Sequence, residues 1–109
     1  MIRARLSPRA ERDLEGICSL IAADNPDAAD NLRLTILDTA DVLVQHRGIG
    51  RRILNASARH ADIRWLVVPK FRDYLLFYRS YEHTIMVVRI LHAAQDWTRF
   101  FPPSRKPPG

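Results

Sequence analysis

The chain has one cysteine, only four glycines and no long apolar run, and each scarcity removes a class of explanation. A lone Cys18 excludes an internal disulfide and a multi-cysteine metal site, and fits a reducing compartment. No apolar run approaches the roughly 20 residues that span a bilayer, and Met1 to Arg9 holds no apolar core of a secretory signal. A cytoplasmic protein without a membrane association is therefore expected. Asp24, Asp27, Asp30, Asp38 and Asp41 are scattered along helical segments and read as solvated faces, so no metal and no cofactor is expected. Gly48-Ile49-Gly50-Arg51-Arg52 follows no strand and is not followed by Lys-Ser/Thr, which argues against a phosphate-binding P-loop. Ser19, Ser57, Ser80 and Ser104 lack the context of a nucleophile elbow.

What is present fits one domain: 109 residues with 47% hydrophobic content. Lys and Arg number 17 against 12 acids, giving a formal charge of +5 and a pI near 10.1. Lys70 and Lys106 are the only lysines, so the charge is almost wholly arginine, which pairs bidentately with carboxylate or phosphate. An anionic partner is implied, either nucleic acid or an acidic protein segment.

Ile2, Ala4 and Leu6 alternate with Arg3 and Arg5, the period of a half-buried strand. Ser7-Pro8 then pairs a capping hydroxyl with a proline suited to the first helical position. A helix is predicted to about Asp24, with Ala10, Leu14, Ile17 and Ile21 on one face and Cys18 as core filler beside them. Asn25-Pro26 repeats the signal, so a second, antiparallel helix follows, with Ala29, Leu32, Ile36, Ala40 and Leu43 inward, ending near Arg47 with Gly48 as its cap. Three strands are predicted at 63–68, 74–80 and 84–91, joined by short turns at Pro69-Lys70 and Glu82-His83. The class is α+β: an N-terminal strand, an antiparallel two-helix hairpin, then a three-stranded antiparallel meander with the helices on one face. Residues 1–97 form the domain, and 98–109, with Pro102-Pro103 and Pro107-Pro108, read as a mobile, basic tail without assigned fold.

Alternation assigns the faces of the meander. Taking Arg64, Arg79 and Arg89 as solvent-facing puts Leu66, Val68, Leu75, Phe77, Ile85 and Val87 outward with them. Ile63, Trp65, Val67, Tyr74, Leu76, Tyr78, Met86, Val88 and Ile90 then face the helices. An outer face this apolar asks for a cover. A partner's amphipathic acidic segment is one candidate, and the chain's own tail or a second copy is the other.

Arg64-Trp65-Leu66-Val67-Val68-Pro69, Tyr74-Leu75-Leu76-Phe77-Tyr78-Arg79 and Val88-Arg89-Ile90-Leu91-His92, with Asp96-Trp97, occur in this order. These segments and the order of elements resemble the ParE/RelE toxin superfamily, and the ParE branch in particular, from Arg3 to about Trp97. The resemblance implies the toxin of a bacterial type II toxin–antitoxin module. ParE-like members poison DNA gyrase and are neutralised by a cognate antitoxin, usually with a ribbon-helix-helix part that reads operator DNA, while RelE-like members cut mRNA on the ribosome.

RNA cleavage requires groups that activate the 2′-hydroxyl, stabilise the charged phosphorane and protonate the leaving oxygen. The RelE-like arginine before the central strand's core corresponds to Leu75, and the basic pair after the last strand falls near Ala93-Ala94. The reading is accordingly a toxin without a catalytic centre, acting on gyrase by protein–protein contact. The alternative is a ribosome-dependent mRNA endoribonuclease using His92, Arg79, Arg89 and Lys70. A non-toxic basic binding module is a further alternative, weakened by helices whose exposed sides mix acid with base. Antitoxin binding is assigned to Arg64, Leu66, Leu75, Phe77, Arg79, Val87 and Arg89, with an acidic amphipathic segment as ligand. Topoisomerase contact is assigned to Arg89, Trp97, Arg99 and Phe100, a choice guided by the enrichment of Trp and Arg at binding hot spots. For Trp97 and Phe100 the competing role is to fold back over the core.

Overall fold

The structure is a computed structural model and describes residues 4–103. Strand β1 (Arg5–Leu6) leads into helices α1 (Pro8–Ala22) and α2 (Pro26–Gln45). Strands β2 (Arg51–Arg52), β3 (Arg64–Val67), β4 (Tyr74–Ser80) and β5 (Ile85–His92) follow, then a short 3-10 turn at Trp97–Arg99. The sheet order is β1-β5-β4-β3-β2, with β1 parallel to β5 and the other neighbours antiparallel. The α+β class and the expected run of strand, helical hairpin and meander describe this architecture. Ile2 lies outside the described residues, as does the tail from residue 104.

Local chemistry sets both helix starts. The Ser7 side chain accepts from the Ala10 amide and the Asn25 side chain from the Ala28 amide, each with proline at the first helical position. The Ser7 hydroxyl also donates to the Val88 carbonyl at 3.0 Å, which anchors α1 to β5. The inward face of α2 carries the five expected residues, all buried. Cys18 lies in the same core, where burial pushes its thiol up, away from a nucleophile's range. Gly48 does not cap α2. The helix ends at Gln45 with His46 in the cap position, and no described glycine has positive φ.

Between β3 and β4 the Phe71 amide bonds back to the Val68 carbonyl at 3.2 Å, with Pro69 second and Lys70 at φ 68° third. That is a type II turn, whose third position normally favours glycine. Strand β2 falls within what alternation reads as a loop. Two arginines carry no period, and only their pairing with Trp65 and Arg64 makes them a strand.

The face assignment holds for β4 and fails on its neighbours. Leu76 and Tyr78 are buried against the helices, and Tyr74 is partly buried there, while Leu75 and Phe77 are buried on the opposite side. On β3, however, Leu66 and Val68 face the helices, while Ile63, Trp65 and Val67 face away. Arg64 is what misleads the parity: it lies on the helix side of β3, donating to the Gly50 carbonyl next to the edge strand β2 at 2.8 Å instead of reaching water on the far face. On β5 a bulge intervenes, because Phe77 pairs with Arg89 but Tyr78 with Val87. One extra residue flips the alternation, so Ile85 and Val87 join Ile90 beneath the helices and Val88 turns to the other face.

The second face is covered by the chain itself. Ile53, Ile63, Leu75, Phe77, Leu91 and Phe101 form a second buried cluster, with Trp65, Val67, Val88, Trp97 and Phe100 against it. Phe101 stacks on Phe77 with ring centroids 4.7 Å apart, and a bridge joins Pro103 to Ala56. The segment after Trp97 is therefore anchored through Phe100 and Phe101, because three aromatics within five residues find an apolar sheet face beneath them.

Candidate functional site

The expected antitoxin groove is not an open surface in this fold. Phe77 and Val87 are fully buried, on opposite sides of the sheet, and Leu75 is 7% exposed. Leu66 packs toward the helices, and Arg64 is partly buried at the edge. Arg79 pairs with Asp62 at 2.8 Å and donates to the Arg59 carbonyl at 2.6 Å. Intrachain cover thus takes the place that was expected for a partner's segment.

Arg89 is equally committed. Its Nε and Nη2 donate to the two carboxylate oxygens of Asp13 at 2.7 and 2.9 Å, and each side chain is only 14% exposed. The same carboxylate accepts the Ile90 amide at 3.0 Å. One acid on α1 therefore neutralises an arginine and satisfies a backbone donor beside the bulge. Phe100 completes the site, its ring centroid 4.3 Å from the guanidinium carbon. Of the residues expected at a topoisomerase contact, Arg89, Trp97 and Phe100 are gathered into this packed corner, and Arg99 is exposed.

The four residues of the nuclease alternative do not converge along the sheet. Arg79 stands opposite Met86 and His92 opposite Tyr74, at the two ends of the β4–β5 ladder. At about 3.3 Å per residue their backbones are roughly 17 Å apart. His92 Nδ1 accepts the Ala94 amide at 3.0 Å, and its ring meets Tyr74 edge-on. Lys70 sits in the exposed β3–β4 turn. His60 lies edge-on to Phe101, and burial together with Arg59 and Arg79 lowers its pKa, opposed by Asp62.

An open cleft lies elsewhere, where β1 meets the helical hairpin. It is about 760 Å³, lined by Ala4, Leu6, Pro8, Leu14 and Leu37, with Arg5, Arg12 and Arg33 around them against two acids, Glu11 and Glu15. Leu34 and Leu37 on the outer side of α2 are 58% and 43% exposed. Among the described residues β1 is also an edge of the sheet, pairing only with β5. The sequence reading missed this cleft because it is assembled from β1, α1 and the outward-facing Leu37 of α2, which meet only after folding. Among the described residues no cluster of three His, Cys, Asp or Glu is placed to hold a metal, and no helix is long and apolar enough to cross a membrane.

The profile of the ParE toxin of the type II toxin–antitoxin system parDE matches residues 4–97. The chain belongs to the ParE toxin family. Toxin RelE3 of Caulobacter vibrioides is 33% identical over 96 residues, covering 87% of this chain and 98% of that protein. A chain from a solved structure described as a chromosomal ParDE TA system from P. aeruginosa superposes with a TM-score of 0.65 at 20% identity, over 84% of this chain and 96% of the other. That likeness supports the fold. As a ParE/RelE-family toxin, the protein has a cognate antitoxin for a partner.

Proposed function

We propose that this ParE-family toxin inhibits DNA gyrase in the cytoplasm by protein–protein contact and has no catalytic centre of its own. The observation that carries the reading is the disposition of the cations. Arg89 is neutralised by Asp13, Arg79 is paired with Asp62, and His92 lies at the far end of the ladder from Arg79. A phosphorane would find no gathered set of free donors there. The competing reading is mRNA cleavage, since one relative bears a RelE name. Arg99, with the part-exposed Trp97 and Phe100 beside it, is the surface offered to gyrase.

The antitoxin, taken as a ribbon-helix-helix protein with an acidic amphipathic segment, docks in the cleft between β1 and the hairpin. Leu37 in the cleft and the exposed Leu34 one turn before it on α2 supply its apolar contacts, and Arg5, Arg12 and Arg33 fix its register. The operator's base sequence is then read by the antitoxin and recognised by the toxin only through it.

A gyrase supercoiling assay with purified proteins tests both parts. The wild-type chain should inhibit supercoiling, and stoichiometric antitoxin should relieve the inhibition. Leu37→Asp, at a position already 43% exposed, should inhibit as well as wild type yet need about tenfold more antitoxin for relief, corresponding to roughly 1.4 kcal/mol. No inhibition by the wild type would refute the gyrase reading, and unchanged relief of the variant would refute the docking site.

A further inference from the structure

We infer that the cleft between the end of α2 and the β2 edge is a phosphate-binding site that takes the backbone of a nucleic acid strand. The cleft is about 450 Å³ and is lined by Arg47, Gly48, Arg52, Ala61, Asp62, Arg64 and Ser80. Its three arginines carry no ion pair among the described residues, and the one carboxylate present, Asp62, is engaged by Arg79 at 2.8 Å. Arg52 and Arg64 stand directly opposite each other in the β2–β3 ladder. Like charges at such a position repel, and an anion between them removes the repulsion.

Two of the three cations are held in place by neutral groups. Arg47 donates to the carbonyls of Tyr81 and Glu82 in the β4–β5 turn, and Arg64 to that of Gly50. Carbonyls orient a guanidinium without cancelling its charge. The loop that carries them is itself fixed: the buried Tyr78 hydroxyl donates to the Arg47 carbonyl at 2.6 Å and accepts the Gly50 amide at 2.9 Å. A Cβ on Gly50 would come within 2.7 Å of the Tyr78 ring, so the close approach requires glycine. Three unpaired guanidiniums on a fixed frame, with the Ser80 hydroxyl at the rim, match the oxygens of a phosphate.

Two observations favour a nucleic acid strand over an acidic protein segment. The cleft offers no large apolar side chain, whereas a protein segment relies on apolar contact for affinity. The chain as a whole has a formal charge of +5, which draws in a polyanion. The contact is to phosphate, and so independent of base sequence, and it does not depend on the gyrase reading.

Fluorescence anisotropy with a short labelled DNA duplex and the full chain tests the inference. Strand β2 supplies its own control, because Arg51 lies in a different groove, beside Ile49 and Trp65, so Arg51→Gln removes the same charge away from the cleft. Arg52→Gln should weaken binding about tenfold and reduce the salt slope by about one, with Arg51→Gln within about twofold of wild type. Both variants should keep the wild-type melting temperature, since both positions are exposed. Equal losses in the two variants would reduce the effect to overall charge and overturn the site. Absence of wild-type binding, or displacement of the duplex by polyglutamate at matched charge, would overturn the ligand class.

Discussion

Replacing Phe77 with aspartate should unfold the protein. Phe77 has no exposed surface, stacks on Phe101 and meets Trp97 at 6.1 Å between centroids. Loss of a buried phenylalanine typically costs about 3 to 5 kcal/mol, and a carboxylate without a partner in the same place adds a desolvation penalty. A domain of this size is stable by only about 5 to 15 kcal/mol, so the sum consumes most of it. Circular dichroism at 25 °C should show lost helical signal and no cooperative melt. Were the sheet face open, as alternation alone implies, the variant would instead keep its spectrum and lose only a partner.

Removal of Asp13 should be the next most damaging change. Its carboxylate receives two bonds from Arg89 and one from the Ile90 amide, in a corner where both charged side chains are 14% exposed. Asp13→Ala leaves a largely buried guanidinium and a backbone donor without their acceptor, at a cost of about 3 kcal/mol or more. The urea midpoint should fall accordingly, with the slope unchanged. The double variant Asp13→Leu, Arg89→Met should recover part of that loss, since it removes both charges. A midpoint within the error of wild type for Asp13→Ala would show that the pair is solvated and that Arg89 is available to partners.

Capping and helical periodicity were legible in the sequence because they are local. Ser7-Pro8 and Asn25-Pro26 act within one turn, and Ala29 through Leu43 lie on one stripe whatever packs against them. The sheet faces were harder. Alternation is reliable on β4, which has no irregularity of its own, but Arg64 finds a carbonyl at the sheet edge, and the extra residue on β5 reverses the phase. Neither event leaves a signature in a two-residue period. The partners of Arg79 and Arg89 were invisible for a related reason: Asp62 and Asp13 come from a loop and a helix that meet the sheet only after folding. An arginine on a strand therefore reads as free until its acid is located, and that reading created a groove where the chain had placed its own aromatics. Trp97 and Phe100 were weighed as cover for the core, and that is where they pack.

The central claim is that this family member acts without cleaving RNA, and translating ribosomes with a defined mRNA test it most directly. The purified wild-type chain and His92→Gln, assayed side by side, should both leave the message intact at concentrations where the wild type inhibits gyrase. Site-specific cleavage of ribosome-bound mRNA by the wild type, lost in His92→Gln, would contradict the account.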